Sequence, residues 1–359
     1  MTRSIDYTAL TAPHSKAEIK AYRARKRAER GSSTAIRIAS IVIYVVVASV
    51  IGLIAVVVGA RTVVTLLADA ARGDAGLGAG SAIGLAVASA VVALILFLLY
   101  RAIFGLGRWE KAMRLEGFAT ANTLRYSTHS ANPSYPGTIF GLGHSRAAID
   151  HVTASSGRFL DIGSYRYKTG SGKEEVTHTW GFMALSLDRS LPHMILDSKA
   201  NNGLFGSSNL PAAFSKSQVL SLEGDFDRYF TLYCPREYER DALYVFTPDL
   251  MALLIDEAAP YDVEIIDNWM FVYSSVRLDP LSPATYQRMF RIVDTVGAKT
   301  LSQTDRYVDE RVGSFASNIV APQGRRLKRG VSVFSIVFGA VFVLIWLVPQ
   351  VLEFLSATR

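Results

Sequence analysis

Cysteine is almost absent from this sequence: Cys234 is the only one among 359 residues. A single cysteine excludes an intramolecular disulfide, and it excludes a metal site built from cysteines alone. Free cysteine behaves as a small hydrophobic residue and is often buried. We therefore interpret Cys234 as a core residue of a protein that folds in a reducing compartment.

Charge is also scarce, since charged residues make up 19% of the chain and hydrophobic residues 50%. The formal net charge of +7 is typical of a nucleic-acid-binding protein. However, the basic excess lies in residues 1–116 and in the segment from Arg325 onwards, whereas residues 117–324 carry more acidic than basic side chains. The sequence therefore predicts no nucleic-acid partner.

Three apolar runs lack ionisable residues altogether: 38–60, 81–100 and 331–348. A helix of about 20 apolar residues matches the ~30 Å hydrocarbon core of a bilayer. The sequence predicts a membrane protein with three transmembrane α-helices plus one cytoplasmic α+β domain with mainly antiparallel sheet. The absence of charge within the runs argues against an autonomous pump or transporter.

Lysine and arginine cluster on one side of these runs, which predicts their orientation. The expected localisation is the bacterial inner (plasma) membrane, multi-pass, with the N-terminus and main domain cytoplasmic and the C-terminus external. The predicted organisation is a basic cytoplasmic arm (1–34), transmembrane helix 1 (35–60), a short external loop (61–80), transmembrane helix 2 (81–104), the cytoplasmic α+β domain with a juxtamembrane helix (105–324), transmembrane helix 3 (330–350) and a short external tail (351–359).

The basic clusters are also the candidate contacts with anionic lipid headgroups, because each cation near such a surface is attracted to it. The alternative interpretation is a topology signal alone. The candidate residues are Lys16, Lys20, Arg23, Arg25, Lys26, Arg27, Arg30, Arg325, Arg326, Lys328 and Arg329. The expected partners are a lipid bilayer and either a protein partner or a second copy in the membrane.

Within the domain, alternating residues predict a β-hairpin formed by Arg158–Lys168 and Val176–Leu187. Further short strands are predicted at Met194–Asp197 and Gln218–Leu222. A second hairpin is predicted from Val263–Ile266 and Trp269–Tyr273, because Asp267-Asn268 between them suits a two-residue turn.

Two helices have clear start signals. Thr247-Pro248 supplies an N-cap and a proline at the first helical position, and the helical spacing of Leu250, Met251, Leu254 and Ile255 predicts that they face the core. Ser282-Pro283 gives the same signal, and Gly297 is expected to end that helix. Ser15 and Glu18 form a capping box that predicts a helix in the basic arm.

The segment LEGDFDRYFTLYCPREYERDALYVFTPDLMALLIDEA (222–258) and the preceding WGFMALSLDRSLPHMILDSK (180–199) resemble a family of uncharacterised bacterial, actinobacterial-type, integral membrane proteins of unknown function. The resemblance covers roughly Trp180 to Tyr273. It implies membrane spans nearby, and it carries no catalytic residue and no substrate.

Motifs for chemistry are missing. Gly170-Ser-Gly-Lys173 lacks the remaining residues of a phosphate-binding loop, and no nucleophile elbow surrounds Ser145. No pair of histidines has metal-ligand spacing. Glu223, Asp225 and Asp227 are expected to cap a short turn or helix at 225–230, and the alternative interpretation is a general acid/base pair. We predict no catalytic, cofactor-binding or metal-binding residue and no cofactor.

These patterns favour a membrane-anchored cytoplasmic binding or scaffold module that is not an enzyme. One alternative is an accessory subunit of a larger membrane transport or envelope-assembly complex. Another is a membrane-bound hydrolase assembled from scattered His, Asp and Ser. A polar site that brings His144, His151 or His178 to a carboxylate would favour the hydrolase.

Overall fold

The computed structural model describes residues 4–29, 107–202, 208–312 and 318–330, with isolated pieces between 52 and 97 and between 341 and 346. The chain forms two compact units, one of residues 12–114 and the other of residues 1–11 with 115–359. The second unit contains the β-sheet and the hydrophobic cores on its two faces.

The described helices are α1 (Thr8–Thr11), α2 (Lys16–Glu29), α3 (107–121), α4 (Glu239–Val245), α5 (Pro248–Leu253), α6 (Pro283–Ile292), α7 (Ala298–Thr304) and α8 (Pro322–Arg325). The described strands are β1 (Leu124–Ala131), β2 (His144–Ala154), β3 (Leu160–Thr169), β4 (Val176–Ser198), β5 (Val219–Leu220), β6 (Phe230–Tyr233) and β7 (Asp262–Ser274).

The strands form one antiparallel sheet in the order β1-β2-β3-β4-β6-β5, with β7 along the other side of β4. The central strand β4 is 23 residues long, and its two halves pair with β3 and with β6. The predicted hairpin of β3 and β4 is confirmed by ten paired residues, from Leu160–Leu185 to Thr169–Val176.

The central strand β4 is buried on both faces from Trp180 to Leu185 and from Leu191 to Ser198. One face packs against the helices, and Met183, Leu185 and Leu254 belong to its core. The other face carries an aromatic core that includes Phe140, Tyr165, Phe182 and Phe271. Because Ile139, Leu210 and Leu327 join this second core, the cover on that face is made of loops.

The N-terminus belongs to the helix-covered core. Leu10 of α1 is buried in it, and the side chain of Asn122 binds both the backbone N–H and the carbonyl of Asp6 at 2.8 Å. The predicted capping box at the start of α2 is confirmed, because the Ser15 N–H donates to Glu18 at 2.7 Å and the Glu18 N–H to the Ser15 hydroxyl at 3.3 Å.

One strand prediction is right in type but wrong in its bounds, and one hairpin prediction is wrong, for the same reason. Met194–Asp197 is part of β4, and the two halves of the predicted second hairpin form the single strand β7. Asp267 adopts φ 53° but does not reverse the chain: it pairs with Leu191, and the extra residues of the irregular ladder lie on β4, between Ser186 and Leu191. Both halves of β7 pair with the long strand β4. Asp267 and Asn268 therefore remain within one strand, and the ladder is irregular at this point.

The helix start at Pro248 is confirmed, although the Thr247 hydroxyl makes no capping hydrogen bond. The predicted stop at Gly297 is wrong, because its backbone is helical and the helix continues into α7. A Cβ at Gly297 would lie 2.8 Å from Cδ2 of Leu185. Glycine is therefore present there because the helix packs closely against the sheet.

The predicted membrane-protein fold class is contradicted. Among the residues that the structure describes, no helix is both long enough and apolar enough to cross a bilayer. The longest described helical stretch, 283–304, contains Arg288, Arg291, Asp294 and Lys299, and such charges are costly in hydrocarbon. The predicted runs at 38–60, 81–100 and 331–348 lie mainly outside the described residues. No described helix therefore supports the predicted multi-pass inner-membrane localisation.

Candidate functional site

A cavity of about 430 Å³ lies on the loop-covered face of the sheet. Its walls come from the loop 135–142, from the segment 326–329 and from side chains of β4 and β7. The lining residues are Tyr135, Pro136, Gly137, Thr138, Gly141, Leu142, His193, Ala212, Phe214, Ile266, Arg326, Leu327 and Arg329. Apolar and aromatic groups therefore alternate with a few polar ones, as in most small-molecule sites.

Two arginines supply the positive charge of the cavity wall. The guanidinium of Arg326 binds both carboxylate oxygens of Asp267, at 3.0 and 3.1 Å. The backbone of Arg329 forms an isolated antiparallel β-bridge with that of Phe214. Its guanidinium has no ion-pair partner among the described residues. Among the described residues, no carboxylate therefore neutralises the Arg329 side chain in the cavity wall.

Behind the cavity lies the buried carboxylate of Glu264, which accepts four hydrogen bonds. The donors are the Thr138 N–H at 2.8 Å, the Thr138 hydroxyl at 2.6 Å, His193 Nε2 at 2.7 Å and the Tyr273 hydroxyl at 2.6 Å. Burial alone would raise the pKa of Glu264, but these hydrogen bonds outweigh it and the pKa is lowered. The carboxylate is therefore held ionised in the core.

His193 connects this carboxylate to the segment 326–329. Its Nδ1 accepts the backbone N–H of Leu327 at 3.1 Å, so Nε2 is the nitrogen that carries the proton donated to Glu264. Both ring nitrogens are thus occupied. His193 fixes one wall of the cavity and offers no free nitrogen to a metal or a substrate.

The loop 135–142 forms the opposite wall and is held at two points. Thr138 binds Glu264, and the Tyr135 hydroxyl donates to Asp161 at 2.7 Å. Between them, a Cβ at Gly137 would collide with the Tyr273 hydroxyl, so only glycine lets the loop come this close to the sheet.

Next to Tyr135, three consecutive strands bring a serine, a histidine and an aspartate together. His151 Nε2 lies 2.8 Å from the Ser130 hydroxyl, and His151 Nδ1 lies 2.8 Å from Asp161 Oδ1. His151 and Asp161 are buried, whereas Ser130 is half-buried. In the part of the chain that the structure describes, this is one of two buried His–carboxylate pairs. The other is His193–Glu264.

Two aspartates, Asp197 and Asp262, form an acidic pair where β4 ends and β7 begins. Asp262 accepts the Ser198 N–H at 2.8 Å and the Asn201 amide at 3.0 Å. Burial raises the pKa of Asp262 to about 7, despite these hydrogen bonds, and that of the neighbouring Asp197 to about 6. Both carboxyl groups are thus protonated at a pH where an exposed aspartate is ionised.

We expect this acidic pair to make the protein less stable as pH rises. Between the ordinary pKa of 3.8 and about 7, the folded chain binds more protons at Asp262 than the unfolded chain, so stability falls with increasing pH in this window. Asp262→Asn should reduce the fall between pH 5 and pH 8 by about 2–3 kcal/mol. Urea unfolding at the two pH values measures it. The exposed Asp256→Asn should keep the wild-type slope, and equal slopes in all three proteins would contradict this assignment.

The residues predicted as membrane-surface contacts lie in two places. Lys16, Lys20, Arg23, Arg25, Lys26 and Arg27 belong to α2, Arg325 ends α8, Arg326, Lys328 and Arg329 follow it, and Arg30 lies outside the described residues. Contact of these residues with lipid headgroups stays a prediction. Two of them, Arg326 and Arg329, line the cavity.

The remaining sequence candidates have structural roles. His178 stacks on Tyr167, and the exposed His144 lies 3.1 Å from the Gly170 carbonyl. Asp227 lies in a short 3-10 helix and accepts the Leu222 N–H at 3.2 Å, but Asp225 at the N-cap makes no side-chain capping hydrogen bond, so the predicted capping is not seen there. Within the described part of the chain, no group of three or more His, Cys, Asp or Glu could hold a metal ion.

No family model matches the chain, and no curated protein matches it either. Among solved structures, it is similar to the crystal structure of the mycobacterial trehalose monomycolate transport factor A, TtfA. The identity is 12%, the match covers 58% of this chain and 96% of that chain, and the TM-score is 0.35. A likeness at this level carries no argument about this chain.

Proposed function

We propose that this chain is a binding module whose cavity between the loop 135–142 and the segment 326–329 takes a ligand with an anionic head and an apolar body. The observation that carries the proposal is the cavity itself, with about 430 Å³ of space. That volume is within the range typical of sites for small organic ligands.

The lining sets the chemistry of the ligand. Arg329 offers a guanidinium that no described acid neutralises, and a planar guanidinium suits a carboxylate or a phosphate. Leu142, Phe214 and Ile266 offer apolar surface in the same cavity. A cation or a wholly polar ligand would leave one of these two features without a partner.

The cavity is preorganised, because both walls are fastened to one carboxylate. Glu264 holds the loop through Thr138 and holds the segment through His193, whose other nitrogen binds Leu327. A site that is already ordered loses little conformational entropy when a ligand binds, which favours affinity. The sequence-based alternative, an accessory subunit of a transport or envelope-assembly complex, stays a prediction.

Calorimetric titration of the full chain tests the proposal with three probes of equal chain length. Decyl phosphate and decyltrimethylammonium are compared below their critical micelle concentrations, and decanol below its solubility limit. We expect decyl phosphate to bind at least about tenfold more tightly than the other two, which corresponds to about 1.4 kcal/mol. Arg329→Gln should remove this preference, whereas Arg306→Gln, at a side chain that is 91% exposed, should leave it intact.

A second variant tests the cavity rather than the charge. Nothing lies within 4 Å of a Cβ at Gly141, so Gly141→Leu should fold normally and fill space in the cavity. We expect it to weaken decyl phosphate at least about tenfold. Equal affinity for all three probes, or unchanged affinity in Gly141→Leu, would mean that this cavity is not the binding site.

A further inference from the structure

The hydrogen-bond chain from Ser130 through His151 to Asp161 has the connectivity that activates a serine nucleophile. The base lies on β2, which pairs with the serine strand β1, and the orienting acid lies on β3, which pairs with β2; each link is 2.8 Å long. Such a constellation is recognised by its geometry, since it occurs on unrelated folds and in different chain orders.

The backbone is shaped to hold His151 in this position. The register between β2 and β3 shifts between Ile149 and Val152, and Asp150 within that shift adopts φ 48°. On β3 the facing residue is Gly163, where any Cβ would collide with the Cβ of His151. A bulge and a glycine thus give the imidazole room over the sheet, and bulges often re-aim side chains next to active sites.

The hydrogen bonds also select the tautomer of His151. Asp161 accepts the Tyr135 hydroxyl with one oxygen and faces His151 Nδ1 with the other. A carboxylate can only accept, so Nδ1 is the protonated nitrogen of a neutral ring. The lone pair of Nε2 then points at the Ser130 hydroxyl, as a general base requires.

An oxyanion donor is available at the open edge of the sheet. Strand β1 pairs with β2 and has no second partner among the described strands. The Asn132 N–H donates to the Arg146 carbonyl on the neighbouring strand at 2.8 Å. Because N–H directions alternate in an antiparallel ladder, the N–H of Ala131, directly after Ser130, points away from β2.

We propose that Ser130 is a nucleophile that cleaves carboxylic esters presented at the open edge of β1. The Ser130 oxygen bonds to the ester carbonyl carbon while its proton passes to His151 Nε2. The imidazolium returns that proton to the departing alkoxide, which leaves as the alcohol. Water, activated by the same imidazole, then releases the acid and restores Ser130. This activity is separate from ligand binding in the cavity.

Labelling of the full chain with a fluorophosphonate, located by peptide mass spectrometry, tests the assignment. The probe forms a bond between phosphorus and the serine oxygen with loss of fluoride. We expect modification at Ser130, none in Ser130→Ala, and a decrease of at least about 100-fold in Asp161→Asn, which removes the anion that fixes the tautomer. Ser134→Ala is the control, since Ser134 is exposed and lies four residues beyond Ser130, and it should keep the wild-type rate within about twofold.

A gain-of-reactivity variant keeps the test decisive if Asp161→Asn folds poorly. In Ser130→Cys the imidazole should favour the thiolate, so iodoacetamide should alkylate it at least about tenfold faster than the thiol of Ser127→Cys. Burial raises the pKa of Cys234 to about 12, which keeps the natural cysteine slow. An unlabelled Ser130 in the folded protein, or equal alkylation at positions 127 and 130, would overturn the proposal.

Discussion

Replacing Glu264 with alanine should lower the free energy of unfolding by about 3–5 kcal/mol. The substitution leaves four buried donors without an acceptor, namely the Thr138 N–H, the Thr138 hydroxyl, His193 Nε2–H and the Tyr273 hydroxyl. A donor that loses its partner in the core retains the full cost of its desolvation. Urea unfolding, followed by the fluorescence of Trp180 and Trp269 in the same aromatic core, measures the effect.

Two further substitutions make this result specific to the carboxylate. Glu223→Ala removes an exposed glutamate and should change stability by less than about 0.5 kcal/mol. Glu264→Gln keeps the shape of the side chain but turns an NH₂ group toward the buried donors. Its free energy of unfolding should therefore be lowered almost as much as in Glu264→Ala. A decrease below about 1 kcal/mol in Glu264→Ala would show that water replaces the carboxylate in the folded protein.

The same carboxylate should affect stability at acid pH with a sign opposite to that of Asp262. Because the pKa of Glu264 is lowered in the folded state, its contribution is complete above its ordinary value of 4.5 and is lost as pH falls below it. The difference between wild type and Glu264→Ala should therefore shrink on acidification, whereas the effect of Asp262 appears between pH 5 and pH 8.

Truncating Leu254 to alanine is the second large effect, with an expected loss of about 2–5 kcal/mol. Leu254 is 1% exposed and lies in the helix-covered core, in the turn that continues α5. The loss combines the lost burial of its methyl groups with the cavity that the close-packed neighbours leave behind. Chemical unfolding measured side by side with the wild type gives the value.

Asp256, two residues further along the same turn, is the control for Leu254. Its side chain is exposed, so Asp256→Ala should stay within about 0.5 kcal/mol of the wild type. Similar losses at both positions would mean that the turn itself, and not the buried face, limits stability.

The sequence correctly predicted the helix starts, the capping box and the hairpin turn, because each depends only on residues close together in the chain. Pro248 and Pro283 begin helices, Ser15 and Glu18 form their capping box, and Gly170 lies in the turn of the β3–β4 hairpin. Each of these depends on the conformational preference of a few neighbouring residues. For the same reason, the burial of Leu250, Met251 and Leu254 followed from their helical spacing.

Signals that depend on a distant partner were misinterpreted. Asp267-Asn268 suits a tight turn in isolation, but beside the long strand β4 it continues strand β7, opposite an irregular part of β4. Gly297 suits a helix end, but its role is to let the helix contact Leu185. The apolar runs at 38–60, 81–100 and 331–348 predicted membrane spans from hydropathy alone, and the described helices contain no such span.

By itself, the sequence determined the α+β texture, the helix starts and the absence of local catalytic motifs, because these follow from spacing and from single-residue preferences. Only the tertiary structure determined which polar residues lie close enough together to form a site. Ser130, His151 and Asp161 meet because three strands align, and Glu264 meets Thr138 and His193 across 126 and 71 residues of chain. Hydrogen bonds between such distant groups depend on strand register and on which face each side chain occupies, and a one-residue shift of register would separate them.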